Sequence, residues 1–192
     1  MRAVLSLLLT LSCFACGKPK PVDEAGMMAF VKDEGNNLTQ IVTYDDFKIT
    51  TTYRPTDLIV KQQMDKATAK EIDSLRNSYA PYLYFILSIE KNGKDMETSF
   101  AMDPGSFAEK ISYLTSAFSA NIILASSSKN YSIIDFVYAR SFGTGPSTFL
   151  LVFEKPNEEN FELLVEGHDL GFGKVKFSFS QRDLNRTPHL KL

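Results

Sequence analysis

Residues 3–15 form an apolar run behind a single cation, Arg2, and nothing in the run gives it a hydrophilic side. Beyond it the chain alternates between helical and strand-like patterns. Residues 25–31 suit a short helix with Met27, Met28, Phe30 and Val31 on its apolar side, and Gly35-Asn36-Asn37 breaks it. Residues 40–44 look extended, Asp45-Asp46 makes a turn, and 47–54 alternate so that Phe47, Ile49, Thr51 and Tyr53 share one face. Pro55 ends that strand. Thr56 or Asp57 can then cap one helix over 58–79, with Val60, Met64, Ala67, Ile72, Leu75 and Tyr79 as its stripe. Residues 82–90 are apolar on both faces, as a central strand would be, and Lys91-Asn92-Gly93-Lys94 reads as a hairpin-type turn.

The second helix carries a capping box, Ser106-Phe107-Ala108-Glu109, followed by Phe107, Ile111, Leu114 and Phe118 on one side and Asn121 at its close. Strand patterns follow at 122–125, 133–139, 148–153, 161–166 and 174–180. The last places Val175, Phe177 and Phe179 inward and its lysines and serines outward. Turn residues at short intervals, Gly143-Thr144-Gly145-Pro146 and Pro156-Asn157, favour antiparallel pairing. The expected fold is mainly β, in the α+β class: an antiparallel β-sandwich-like domain with two inserted helices. An immunoglobulin-like order stays open, although no Cys-Trp-Cys spacing supports it.

The leading run is too short for a bilayer, which needs about 20 apolar residues, and has the layout of a secretory signal peptide. Its end, Ser12-Cys13-Phe14-Ala15-Cys16-Gly17-Lys18, resembles the lipobox of bacterial lipoproteins, where a small residue precedes the cysteine that is lipidated. Cys16 fits through Ala15 before it and the polar residues after it; Cys13, behind Ser12, is the alternative. The leucine usual three residues before the cysteine is missing in both readings, and a Cys13–Cys16 disulfide is the bland third choice. The resemblance implies a signal peptide over 1–15, a lipidated N-terminus and polar tether over 16–24, and a single globular domain over 25–192. Each buried methylene contributes roughly 0.8 kcal/mol, so two or more acyl chains would hold the protein on a membrane.

Composition narrows the partners. The chain has 192 residues, 44% of them hydrophobic and 23% charged, as in ordinary globular proteins. A net charge of −2 with scattered lysines and arginines lacks the footprint of a nucleic-acid binder and of a polybasic membrane patch. Fifteen Phe, eight Tyr and no Trp favour strands and cores over a sugar-stacking platform. With two cysteines, both near the N-terminus, and two histidines, neither a disulfide framework nor a zinc site is expected. Tyr53-Arg54-Pro55-Thr56-Asp57-Leu58 and residues 177–190 resemble segments of small uncharacterised envelope lipoproteins of Bacteroidetes-type bacteria. That resemblance implies an envelope address, and it transfers no activity and no site residues.

Candidate chemistry is sparse. His168 beside Asp169 in Gly167-His168-Asp169-Leu170-Gly171-Phe172-Gly173 could serve a hydrolase, but no Gly-x-Ser-x-Gly elbow supplies a nucleophile, and a turn histidine is the simpler reading. His189 reads as a surface residue. The 142–148 loop lacks the lysine of a phosphate cradle, and the acid pairs Asp45-Asp46 and Glu158-Glu159 read as solvated turns. Asp135 and Arg140 read as structural, paired with each other or with neighbours, and Tyr82 and Tyr84 as packing. No catalytic residue, cofactor or metal is therefore assigned. The expectation is a lipid-anchored protein of the cell envelope, at the outer membrane on its periplasmic or surface face. Its domain would be a non-enzymatic module that binds an envelope protein or assembles with it. Two alternatives remain: a small hydrolase using His168 and Asp169, and a carrier of an apolar ligand in a Phe- and Tyr-lined cavity.

Overall fold

The computed structural model describes residues 20–64, 68–101, 104–141 and 143–192; the expected signal peptide and both candidate lipidation cysteines, Cys13 and Cys16, lie outside them. The short first helix is α1 (Glu24–Lys32), capped by the Asp23 carboxylate. Strands β1 (Thr39–Tyr44) and β2 (Phe47–Tyr53) form a hairpin about Asp45-Asp46, and all four alternating residues expected inward on β2 are buried. The long helix expected over 58–79 is two helices, α2 (Thr56–Gln62) and α3 (Ala69–Tyr79). The second of them starts from its own capping box, Thr68 with Glu71, a signal the single apolar stripe obscured. Neither Thr56 nor Asp57 caps α2; Pro55 stands at the cap position without a side-chain bond.

Strand β3 (Tyr82–Lys91) is central, as its two apolar faces require. Its following turn leads into a short helix, α4 (Met96–Phe100), rather than into a paired strand. Helix α5 (Pro104–Thr115) begins two residues before Ser106, so Ser106 and Glu109 sit inside the helix and do not frame its start. The remaining strands are β4 (Ile122–Ser126), β5 (Asn130–Ser132), β6 (Asp135–Ala139), β7 (Ser147–Glu154), β8 (Asn160–Glu166) and β9 (Lys174–Ser180), closed by helix α6 (Gln181–Asn185). The expected strand over 133–139 is thus shorter, and β5 precedes it in the other sheet.

Two antiparallel sheets result, β1-β2-β3-β7-β6 and β5-β4-β8-β9. They make the sandwich-like α+β fold that the alternation predicts, with more helices than the two expected. An immunoglobulin order would put the second and third strands in opposite sheets; here β2 and β3 are hydrogen-bonded neighbours. Phe85 on β3 is the hub between the layers. Its ring meets Phe179 of the opposite sheet at 4.9 Å, Tyr53 at 5.9 Å and Phe153 at 6.4 Å. Phe118 joins the core against Phe149, with Leu114 of α5 buried beside it.

One open corner between the sheets is closed by a side chain. The Gln40 amide on β1 donates to the Ser178 carbonyl of β9 at 2.6 Å and accepts from its N–H at 3.1 Å. That reciprocal pair imitates a strand bond and satisfies edge groups that would otherwise invite another chain. Replacing the fully buried Phe85 by Ala removes the hub of the interlayer contacts, with an expected loss of about 3–5 kcal/mol in urea unfolding.

Candidate functional site

Strand β2 ends at Tyr53, and the extended Arg54 donates its N–H to the Tyr84 carbonyl at 2.8 Å. Pro55 then turns the chain into α2, which delivers Asp57 into the interior at 6% exposure. A carboxylate so placed needs donors. Arg76 of α3 supplies two, Nε to Oδ1 at 2.7 Å and Nη2 to Oδ2 at 3.0 Å. The backbone N–H of Leu190 supplies a third, to Oδ2 at 2.7 Å. Burial alone would push the Asp57 carboxyl upward, but the bonds from Arg76 and Leu190 and the charges of Arg76 and His189 hold it below the usual carboxylate range.

This fork holds both ends of the described chain. Val22 donates to the His189 carbonyl at 2.9 Å and accepts from the Lys191 N–H at 2.8 Å, making a parallel bridge to Leu190. Met27, Leu58 and Leu190 pack together beneath it. The two segments read in the sequence as envelope-lipoprotein-like therefore meet here. Between them lies a cleft of about 390 Å³, walled by Tyr53, Pro55 and Thr56 on one side and Leu184, Thr187 and Pro188 on the other, with Arg76, Lys155 and His189 at its margins. Burial pushes the Tyr53 hydroxyl up to about 12, so it remains a neutral donor at physiological pH.

A second buried network was not signalled in the sequence. Asp95 is 1% exposed; it caps α4 through the Thr98 N–H and accepts from the Ser141 hydroxyl at 2.8 Å and the Gly143 N–H. Burial favours its neutral form, yet the Thr98, Ser141 and Gly143 donors outweigh burial and depress its pKa. Glu97, also buried, pairs with Arg140. Arg140 thus pairs with a spatial neighbour, and Asp135 accepts from the N–H of Phe136. The glycine loop after β6 is consequently a strand connection pinned by Asp95.

His168 and Asp169 lie exposed on a 3-10 turn, and among the described residues His168 makes no hydrogen bond to a serine or an acid. Of the glycines around them, Gly171 takes a positive φ that closes the turn, and Gly167 serves packing. A Cβ at Gly167 would come within 2.1 Å of the Phe172 ring. The described residues hold no group of three potential metal ligands, and no helix among them is long and apolar enough to cross a membrane.

The outer face of the five-stranded sheet is the other surface of note. Helix α2 covers one end of it, where Ile59 packs on Tyr84 and Val152. Beyond, the register aligns Thr39, Thr52, Ile86, Leu150 and Val137 across all five strands, with Ile41 in the adjoining row. Ile41 is 56% and Val137 48% exposed. Lys48 and Glu90, 3.8 Å apart, form a polar rim. Compared with protein-family models, with curated proteins and with solved structures, the chain finds no match in any of the three.

Asp57→Asn removes the charge facing Arg76 and is expected to cost on the order of 2–3 kcal/mol in urea unfolding at pH 7. Because folding depresses the Asp57 pKa, its contribution is present above the unfolded value near 4 and is lost as pH falls through the folded value. The variant should therefore lose less stability than wild type between about pH 4 and pH 2.

Proposed function

We propose that the chain is a lipid-anchored lipoprotein of the cell envelope, and that its sandwich is a non-enzymatic module docking a protein partner. The address is supported by the signal-type apolar run, by the lipobox-like residues around Cys16, and by a folded domain whose helix α1 starts only a few residues later. The binding reading is carried by the apolar patch on the five-stranded sheet, in which half-buried Ile86 and Leu150 share a row with exposed Val137, and exposed Ile41 stands in the adjoining row. An apolar centre with a polar rim matches a protein interface. An anionic lipid surface would call for clustered cations, and Lys48 on this face already faces Glu90. No observation favours the hydrolase reading, since His168 and Asp169 stand apart from the clefts described above.

Two measurements test the reading. In cells fed a labelled fatty acid, Cys16→Ser should abolish incorporation while Cys13→Ser leaves it; the reverse moves the anchor to Cys13, and label in neither wild type nor variant refutes the address. Cross-linking in native membranes should recover a stoichiometric partner with wild type, and the Ile41→Lys/Val137→Lys variant should lose most of it. Recovery undiminished by that variant would remove the sheet face from the account.

A further inference from the structure

We infer that the cleft between the β2–α2 junction and the C-terminal segment is a binding site for a small oxyanion, a carboxylate or phosphate group on a compact ligand. This site is separate from the sheet face, and its argument does not rest on the docking reading.

The inference comes from how the charges at the cleft are already spent. Its one carboxylate, Asp57, is saturated by the Arg76 fork and the Leu190 N–H, so it offers nothing to a cation. Arg76 is spent on the same carboxylate, on Asp73 and on the Leu190 carbonyl. Lys155, by contrast, stands half-buried at the cleft margin with no ion-pair partner among the described residues. The acids nearest it in sequence are engaged elsewhere: Glu154 pairs with Lys129 at 3.2 Å, Glu158 accepts from the Ser128 and Tyr131 hydroxyls, and Glu159 accepts from the Arg182 N–H at 2.9 Å. His189 lines the same cleft with its Nδ1 3.5 Å from Asp57 Oδ2, which leaves Lys155 as the cation the cleft does not use.

Hydroxyl donors complement this surplus of positive charge. The Thr187 hydroxyl is buried in the wall without a partner among the described residues, an arrangement that folding tolerates at a cost unless something else satisfies it. Tyr53 and Thr56 add two more hydroxyls to the opposite wall. Pro55, Ala80, Leu184 and Pro188 add apolar lining for the body of the ligand, and about 390 Å³ suits a small metabolite-sized molecule.

The test uses the full chain in mild detergent, with threonine methyl resonances followed while inorganic phosphate or acetate is titrated at constant ionic strength. Saturable shifts at Thr56 and Thr187 are expected with at least one of the two, and which one responds identifies the phosphoryl or the carboxylate source. Lys155→Met should weaken that binding at least five-fold. Thr187→Val should raise the thermal midpoint of the unliganded protein while weakening binding at least three-fold, opposite effects that a purely structural residue would not give. Ile41→Lys, on the sheet face, should bind as wild type does. No saturable response to either anion, or wild-type affinity in Lys155→Met or Thr187→Val, overturns the inference.

Discussion

A carboxylate taken out of water must recover its lost hydration from donors and charges fixed in place, and Asp57 recovers them from two distant parts of the chain. Arg76 comes from the next helix, α3, and the Leu190 N–H from the C-terminal segment, 133 positions away. Because Leu190 also pairs with Val22, the same bonds set where the N-terminal segment enters the domain. Losing one partner of such a fork leaves a charge buried and unanswered, so the penalty is steep although the net worth of the intact pair is modest. The cleft exists because this carboxylate holds its far wall.

The sandwich divides its apolar surface unequally. Between the sheets, aromatic rings from facing strands meet around Phe85 and exclude water. On the outer side of the five-stranded sheet, α2 and α3 cover one end, and the apolar row continues into solvent. A residue such as Val137 contributes nothing to the interlayer core, yet its place in register with Leu150, Ile86 and Thr52 makes one continuous stripe. That stripe, together with the lipobox-like residues read in the sequence around Cys16, is what the envelope docking reading rests on.

Period-two alternation in β2 and β9 and the two-sided apolarity of β3 were legible because side-chain direction in a strand follows from position alone. The division of the 58–79 segment was less so: an apolar stripe continues through a break as easily as through a helix, and the Thr68-x-x-Glu71 box was the local sign that a new helix begins. At the site, local reasoning cast Asp57 as a helix cap, since nothing near it in sequence announces Arg76 or Leu190 as partners. Asp95 was missed for the same reason; its donors on Ser141 and Gly143 arrive from a loop more than forty positions on. His168 drew attention through its glycines, and those answer to the fold: Gly167 to the Phe172 ring and Gly171 to a positive φ.

Hydrogen exchange at the backbone amides of Val22, Leu190 and Lys191, compared between wild type and Asp57→Asn, tests the role of this carboxylate most directly. The account predicts slow exchange at all three in wild type and acceleration of about ten-fold or more in the variant, with amides of the central strand β3 keeping their relative protection. Equal protection of Leu190 and Val22 in the two proteins would contradict it, and would mean that the C-terminal segment is held by its own packing and not by Asp57.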